Sequence, residues 1–240
     1  MIFNLTSKDN PKIKEASSLK ESKFRDEKNM FLAEGQSCLE LALKTDSVVE
    51  IFTLRPLKNI PNSIPQYIVN DDLIKKVAFS KNPEGIVFVC KKKEQNYDNS
   101  FKKILFLDQI NDPGNLGTLI RTALAFNYDA VICNKNSVSF YNEKTVSASK
   151  GAIFLIPCLK AELEDIRNNY CVIASTLNED SINYLDLKIP EKFILVLGNE
   201  THGISEKTAS LADFKVKIPI SNIDSLNVSI AGGILMNYYR

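Results

Sequence analysis

Three short polar segments of the chain carry residue types that could do chemistry. The first covers residues 111–123, in which Asn115 is followed six residues later by Arg121 among apolar neighbours. A guanidinium on a largely apolar helix needs a partner. That partner could be an anionic ligand, or the arginine could extend to solvent or pair with a carboxylate of the protein. The segment lacks both the Gly-Lys-Ser/Thr of phosphate-cradling loops and the G-x-G-x-x-G of dinucleotide-binding loops.

The second segment covers residues 197–205 and follows directly on an apolar run that ends at Leu197. Its glycines, Gly198 and Gly203, allow a sharp turn or a close approach of the backbone to a ligand. Glu200 therefore lies where a strand ends, which is a functional location. The alternative is a carboxylate that favours the start of a helix near Ser205.

The third segment covers residues 218–229 and contains Pro219, which ends a strand. Asp224 or Ser225 is predicted to cap the last helix, and Asn227 lies in its first turn. Ordinary capping is the alternative to a functional role. Two glycines later in that helix, residues 232–233, each cost about 1 kcal/mol relative to alanine. We therefore expect close packing there.

The elements that must position these segments follow a regular pattern. Short apolar runs predict strands, and the spacing of apolar residues predicts helices over 116–126 and 225–238. The predicted strands are 104–107, 130–132, 153–156, 171–174, 193–197 and 216–218. Unbroken apolar strands alternating with helices indicate a parallel sheet covered on both faces, so the fold class is α/β. Ligands of such sheets bind outside the carboxyl ends of the strands, where the three polar segments begin.

The first 90 residues indicate a second, smaller α/β unit. We predict helices over 11–20 and 36–44, with strands over 31–33, 48–54 and 86–89. A polar stretch without periodicity follows. The predicted domains are a small α/β domain over 1–92, a linker over 93–103, and the sheet domain over 104–240.

Composition narrows the function classes. The 240 residues have a net charge of +1, but residues 1–103 hold 18 Lys+Arg against 14 Asp+Glu, so this half is the better candidate for contact with a polyanion. The five scattered cysteines and the single histidine, His202, have no metal-ligand spacing, and no metal is expected. No apolar run approaches the about 20 residues that span a bilayer, and no signal peptide is evident. The expected location is the cytoplasm.

The three segments, in this order, resemble the three motifs of the SpoU (TrmH) family of RNA ribose methyltransferases, in the SPOUT superfamily. The first motif, N-x-G-x-x-x-R-x-A, is matched over 115–123. The second, L-G-N-E…G, is matched over 197–203, although Thr201-His202 stands where the family commonly has glycine after the glutamate. The third, I-P-…-S-L-N-V-S, is matched over 218–229. The N-terminal part resembles the family's small RNA substrate-binding domain through Asn10-Pro11 and residues 31–35.

This resemblance implies a sheet domain with a trefoil knot that binds S-adenosylmethionine as the methyl donor. It also implies a homodimer packed through the knotted domain, RNA as partner, and no membrane. The cofactor-binding residues that it indicates lie in the loops after the strands. They are Thr176, Leu177, Leu197, Gly198, Asn199, Ile218 and Leu226.

The implied reaction is transfer of the methyl group to a ribose 2′-hydroxyl. The family assigns Arg121 as the activating residue, while the others arrange it and the substrate: Asn115, Glu200, Ser225 and Asn227. A guanidinium is a poor base. Two roles for Arg121 therefore stay open, a base in a perturbed site or an anchor for a phosphate that steers the ribose.

Other substrates and functions share some of these features. A small domain before the knotted domain favours ribosomal RNA over transfer RNA as substrate, by analogy of architecture. A non-catalytic RNA-binding protein with this fold is a second possibility, which intact Asn115, Arg121, Glu200 and Asn227 disfavour. A dinucleotide-dependent oxidoreductase would share the sheet pattern but lacks the glycine motif.

Overall fold

The computed structural model describes residues 1–240 and contains two β-sheets, of five and seven strands. The chain divides into two units that each have their own internal contacts. The first contains residues 1–94 and 141–155, and the second contains residues 95–140 and 156–240. The segment 141–155 lies inside the predicted sheet domain in sequence but groups with the first unit.

The first unit is an α/β unit around a mixed sheet. Its elements up to residue 94 are β1 (Ile2–Asn4), α1 (Pro11–Ser18), α2 (Ser22–Lys28), β2 (Met30–Glu34), α3 (Gln36–Ala42), β3 (Val48–Thr53), β4 (Gln66–Ile68), α4 (Asp71–Val77) and β5 (Ile86–Lys91). The strand order is β1-β4-β3-β5-β2. Strands β1, β4 and β3 pair in parallel, whereas β5 runs antiparallel to both β3 and β2. Helices α1 and α4 bury Ile13, Leu73 and Ile74 against this sheet.

The second unit is built on a sheet in which every pair of strands is parallel. The remaining elements, of which only α6 belongs to the first unit, are β6 (Lys103–Leu107), α5 (Pro113–Ala125), β7 (Ala130–Cys133), α6 (Glu143–Ser149), β8 (Cys158–Lys160), α7 (Leu163–Ile166), β9 (Cys171–Ser175), β10 (Ile182–Asn183), β11 (Phe193–Leu197), α8 (Glu206–Ser210), β12 (Phe214–Lys217) and α9 (Val228–Tyr238). The strand order is β10-β12-β9-β11-β6-β7-β8. The predicted α/β class with a parallel sheet is confirmed.

The central strands explain why the sequence pattern was clear here. All five residues of β11 and four of five in β6 are buried, as expected for strands covered on both faces. The two strands pair in register, with Leu107 beside Leu197 at their carboxyl ends. Both ends therefore reach the same edge of the sheet.

The strand predicted over 153–156 is wrong. Residues 152–154 form a 3₁₀ turn, and the strand that follows is β8. Three of its four residues are buried: Ile153 and Phe154 belong to the first unit, where the Phe154 ring lies 5.9 Å from that of Phe31, and Ile156 belongs to the second. A short buried apolar run has no periodicity that distinguishes a strand from a turn.

The caps of α5 and α9 lie at Asp112 and Asn227, whereas Asp224 or Ser225 was predicted for the last helix. Asp112 caps α5, because its Oδ1 accepts the backbone N–H of Asn115 at 2.7 Å, which leaves the Asn115 side chain free for other contacts. Asn227 caps α9, and its Oδ1 accepts the N–H of Ser229 at 2.8 Å. The sequence offered several residues of capping type at each start, and the backbone path selected among them.

The two neighbouring glycines of α9 differ in their surroundings. A Cβ on Gly232 would lie 2.5 Å from Leu119 Cδ2 and 2.7 Å from Leu197 Cδ1, whereas a Cβ on Gly233 would meet no atom within 4 Å. Close packing is thus found at Gly232, against α5 and β11 of the same unit.

Gly232→Ala is expected to lower the free energy of unfolding by about 1–3 kcal/mol, because the added methyl group overpacks the core. Gly233→Ala is the matched control and is expected to raise it by up to about 1 kcal/mol through helix propensity. Urea denaturation of both variants checks this, and equal effects of the two substitutions would contradict it.

All five cysteines are free thiols, and four of them are buried. Burial raises the pKa of the Cys133 thiol to about 12. No cluster of His, Cys, Asp or Glu in the structure could hold a metal ion. None of its helices has the length and apolar character to cross a membrane.

Candidate active site

A cavity of about 430 Å³ lies at the carboxyl ends of β9, β11 and β12, a volume within the range of small-molecule sites. The loops that follow these strands form its wall. All the residues predicted for the cofactor line it: Thr176, Leu177, Leu197, Gly198, Asn199, Ile218 and Leu226.

The pocket loop, which we define as residues 198–205, takes its shape from its glycines. Asn199 and Gly203 form an isolated antiparallel bridge, with N···O distances of 2.8 and 3.0 Å. A Cβ on Gly198 would lie 2.2 Å from the carbonyl carbon of Gly203 and from the nitrogen of Ile204. Gly203 has a φ of +69°, which side-chain-bearing residues rarely adopt. The loop therefore needs glycine at both positions.

The side chain of Asn199 ties this loop together. Its Nδ2 donates to the carbonyl of Gln109 at 2.8 Å, and its Oδ1 accepts the backbone N–H groups of Thr201 and His202 at 2.8 and 3.1 Å. Thr201-His202, which departs from the family pattern, is thus held through backbone groups. Both side chains line the cavity and are exposed.

A polar cluster next to the cavity joins the three segments. Asn115 Nδ2 donates to Glu200 Oε1 at 2.9 Å, and Asn115 Oδ1 accepts from Asn227 Nδ2 at 3.1 Å and from Ser229 Oγ at 2.9 Å. The backbone N–H of Asp112 also points to Glu200 Oε1 at 3.4 Å. Glu200 itself lines the cavity, so the cluster and the pocket share this residue.

The structure brings four of the five predicted catalytic residues together at this edge. Hydrogen bonds connect Asn115 to both Glu200 and Asn227. Ser225 lines the cavity. Arg121 lies on the exposed side of α5 and makes no hydrogen bond or ion pair. Of the alternatives left open for this guanidinium, a protein carboxylate is not its partner, and the side chain reaches solvent.

Several residues of the site were not selected from the sequence. Asp112 stands directly before Pro113, a helix-start signal that could have identified its capping role. Ser229 was visible as a polar residue in the third motif. Ile204, Glu206 and Ala231 line the cavity without any signal in their own type or spacing.

The lining of the cavity fits S-adenosylmethionine. Leu177, Ile218 and Leu226 offer apolar surface, as expected for a ring system. The charged lining residues, Glu200 and Glu206, are both carboxylates, which favour a ligand that carries a positive sulfonium. No lysine or arginine lines the cavity.

Comparison with known protein families identifies the chain. The model of the "SpoU rRNA Methylase family" matches residues 102–237, more than half of the chain. The chain belongs to the SpoU rRNA methylase family. A second family model, "MRM3-like substrate binding domain", matches residues 10–87 of this SpoU family member.

Relatives of known sequence or structure extend over both parts of the chain. The 23S rRNA (guanosine(2553)-2′-O)-methyltransferase RlmP of Bacillus subtilis is 29% identical over 98% of either chain. An rRNA methyltransferase of Sinorhizobium meliloti, solved with AdoMet bound, superposes with a TM-score of 0.87 at 28% identity and covers 98% of this chain and 96% of its own. A TrmH-family protein of Porphyromonas gingivalis gives 0.86 at 26% identity, covering 97% of this chain and 98% of its own.

Membership in the SpoU family confirms the predicted activity, S-adenosylmethionine-dependent methylation of RNA at a ribose 2′-hydroxyl. It also confirms S-adenosylmethionine as the methyl donor and the SPOUT type of α/β fold. The trefoil knot, the domain boundaries and the residue roles stay predictions.

Proposed function

We propose that this SpoU family member methylates ribosomal RNA, with the cofactor in the cavity and the ribose beside the polar cluster. The observation that carries this proposal is that Glu200 both lines the cavity and accepts a hydrogen bond from Asn115 of the polar cluster. A methyl donor in the cavity and a hydroxyl at the cluster would therefore be neighbours. Bound S-adenosylmethionine supplies the electrophilic methyl group.

The polar cluster is suited to orient the ribose. Glu200 Oε1 is occupied by Asn115, whereas Oε2 makes no hydrogen bond within the protein and can accept one from a substrate hydroxyl. Asn227 and Ser229 hold the Asn115 amide in one orientation through its Oδ1. Much of the rate of methyl transfer can come from such positioning, because the attacking oxygen must approach in line.

Arg121 is suited to anchor a phosphate of the RNA. Guanidinium groups stay protonated in proteins, so an exposed arginine is a poor acceptor for the proton of the ribose hydroxyl. An exposed guanidinium without a protein partner is free to contact a phosphate, and such contacts fix the register of a nucleic acid. Of the two roles, we therefore propose the anchor.

Ribosomal RNA is proposed as substrate on two grounds. The Bacillus subtilis relative, matched over 98% of both chains, is named as a 23S rRNA enzyme. The match of residues 10–87 to a substrate-binding domain supports an RNA-contacting unit before the catalytic unit. Unstacked nucleotides in loops are the expected targets, because their riboses are accessible.

The test is methyl transfer from labelled S-adenosylmethionine to unmodified transcripts of 23S rRNA, 16S rRNA and transfer RNA. We expect label in ribosomal RNA, at one nucleotide that becomes resistant to alkaline cleavage of its 3′ phosphodiester. Label only in transfer RNA would move the substrate proposal to that class. Binding of RNA without binding of S-adenosylmethionine in calorimetry would favour a non-catalytic protein instead.

The homodimer and the cytoplasmic location belong to the same proposal. Ile223, Ile230 and Tyr238, in and before α9, leave 57%, 57% and 45% of their surface exposed. Large apolar side chains gathered near one helix favour burial against a second copy of the chain. Sedimentation equilibrium of the wild type and of Ile230→Asp tests this, with the variant expected to be monomeric.

A further inference from the structure

A buried carboxylate lies next to the pocket loop without lining the cavity. Asp108 follows β6 directly and is 1% exposed. A charge is costly to bury, so a buried carboxylate needs full hydrogen bonding and a reason to be there. We propose that Asp108 and Asn134 are positioning residues that hold the pocket loop in its cofactor-binding shape. This inference rests on the proposed cofactor role of the cavity.

Asp108 holds the far end of the pocket loop. Its Oδ2 accepts the backbone N–H of Ser205 at 2.7 Å, while its own N–H donates to the carbonyl of Leu197 at 2.9 Å. Ser205 is also the N-cap of α8, where its Oγ accepts the N–H of Thr208 at 3.3 Å. One carboxylate oxygen thus sets both the end of the loop and the start of the next helix.

Asn134 connects Asp108 to the near end of the loop. Its Nδ2 donates to Asp108 Oδ1 at 2.6 Å, and its Oδ1 accepts the N–H of Gln109 at 3.0 Å. Gln109 in turn accepts the Asn199 side chain on its carbonyl at 2.8 Å. The Asp108–Asn134 pair therefore tethers the pocket loop at Asn199 and at Ser205.

The orientation of the Asn134 amide is determined by its surroundings. Besides Gln109, its Oδ1 accepts from Ser137 Oγ at 2.9 Å, so the amide cannot flip without losing two bonds. Its backbone carbonyl accepts from Lys160 Nζ at 3.0 Å. Since Nδ2 must face Asp108, the partner at position 108 has to be an acceptor.

The test exchanges donor and acceptor across the pair. In Asp108→Asn an amide NH₂ would face another NH₂ or the N–H of Ser205, and in Asn134→Asp two carboxylates would meet. Each single variant is expected to raise the Kd for S-adenosylmethionine at least about tenfold, or about 1.4 kcal/mol. In the double variant, the new amide at position 108 can accept from Ser205 and donate to the new carboxylate at position 134. Its Kd is therefore expected to return to within about threefold of the wild type.

Calorimetry measures the Kd, and thermal unfolding is followed in parallel. Tyr170→Phe is the matched control, because it removes a hydrogen bond of 2.7 Å from the Tyr170 hydroxyl to the Phe101 carbonyl. Both residues precede the amino ends of β6 and β9, whereas the pocket loop lies at the carboxyl ends. It is expected to lower Tm without changing the Kd. The inference would be overturned by single variants that have a lowered Tm but the wild-type Kd. It would also be overturned by a double variant whose Kd stays as high as that of the single variants. A wild type that binds no S-adenosylmethionine would instead refute the proposed cofactor site, and the inference with it.

Discussion

Gly198→Ala is expected to abolish measurable binding of S-adenosylmethionine, with a Kd raised at least about 100-fold, or about 2.8 kcal/mol. The added Cβ would lie 2.2 Å from two backbone atoms of the pocket loop, a separation that real atoms do not tolerate. Because those atoms belong to backbone, no side-chain rotation can relieve the overlap. The loop has to move, and the wall of the cavity moves with it.

The measurement for Gly198→Ala is isothermal titration with S-adenosylmethionine, accompanied by circular dichroism to establish that the variant is folded. Gly203→Ala provides a graded comparison in the same loop. Its Cβ would meet no atom within 4 Å, so the only cost of the substitution comes from the positive φ of +69°. This backbone conformation costs a residue with a side chain about 1–2 kcal/mol of free energy. Wild-type affinity in a folded Gly198→Ala variant would show that this loop does not form the cofactor site.

Arg121→Ala is expected to lower kcat/KM for RNA methylation by about 100-fold or more, with the Kd for S-adenosylmethionine unchanged. The guanidinium lies outside the cavity lining, so its loss leaves the cofactor site intact. A ribose that is no longer held through a neighbouring phosphate would miss the in-line geometry. Arg121→Lys is expected to recover part of the activity, because it keeps the charge but loses the two-pronged contact.

Arg167→Ala is the control for Arg121. Arg167 also belongs to the second unit and carries a partly exposed guanidinium, but it faces Asp213 at 3.8 Å. Its removal is expected to leave both RNA methylation and cofactor binding near wild type. Full activity of both Arg121 variants with unchanged RNA affinity would rule out the anchor and the base alike.

The predicted strands show which elements could be located from the sequence alone. Strands β6, β9 and β11 were located within one residue, because their apolar side chains are buried on both faces of the sheet. The run 153–156 has the same apolar character, but Ile153 and Phe154 are buried in a 3₁₀ turn of the first unit, so this character indicates burial and not conformation. Hydrophobicity indicates that a segment is buried. Only the three-dimensional path of the chain shows in which unit it is buried.

The residues of the candidate site likewise include some that the sequence predicted and others that only the structure showed. The resemblance to the family motifs indicated Asn115, Glu200 and Asn227 of the polar cluster and the seven predicted cofactor residues that line the cavity. The sequence carried no signal for Ile204, Glu206 and Ala231, which also line it. The pair Asn115 and Glu200, 85 residues apart in sequence, meets only because β6 and β11 are neighbours in the sheet. The same adjacency brings Asp108 to Ser205, 97 residues away.

Residue patterns were sufficient to predict the α/β class and the sheet edge at which the cavity lies, since burial and local spacing encode these directly. The chemistry was predicted from the resemblance of the three motifs to the SpoU family. Three-dimensional packing was needed to show that Asp112 and Asn227 are the helix caps, that Arg121 faces solvent, and that Gly232 rather than Gly233 is tightly packed. The physical reason is that each of these depends on which distant atoms lie within a few ångströms. Residue type and spacing carry no information on that distance.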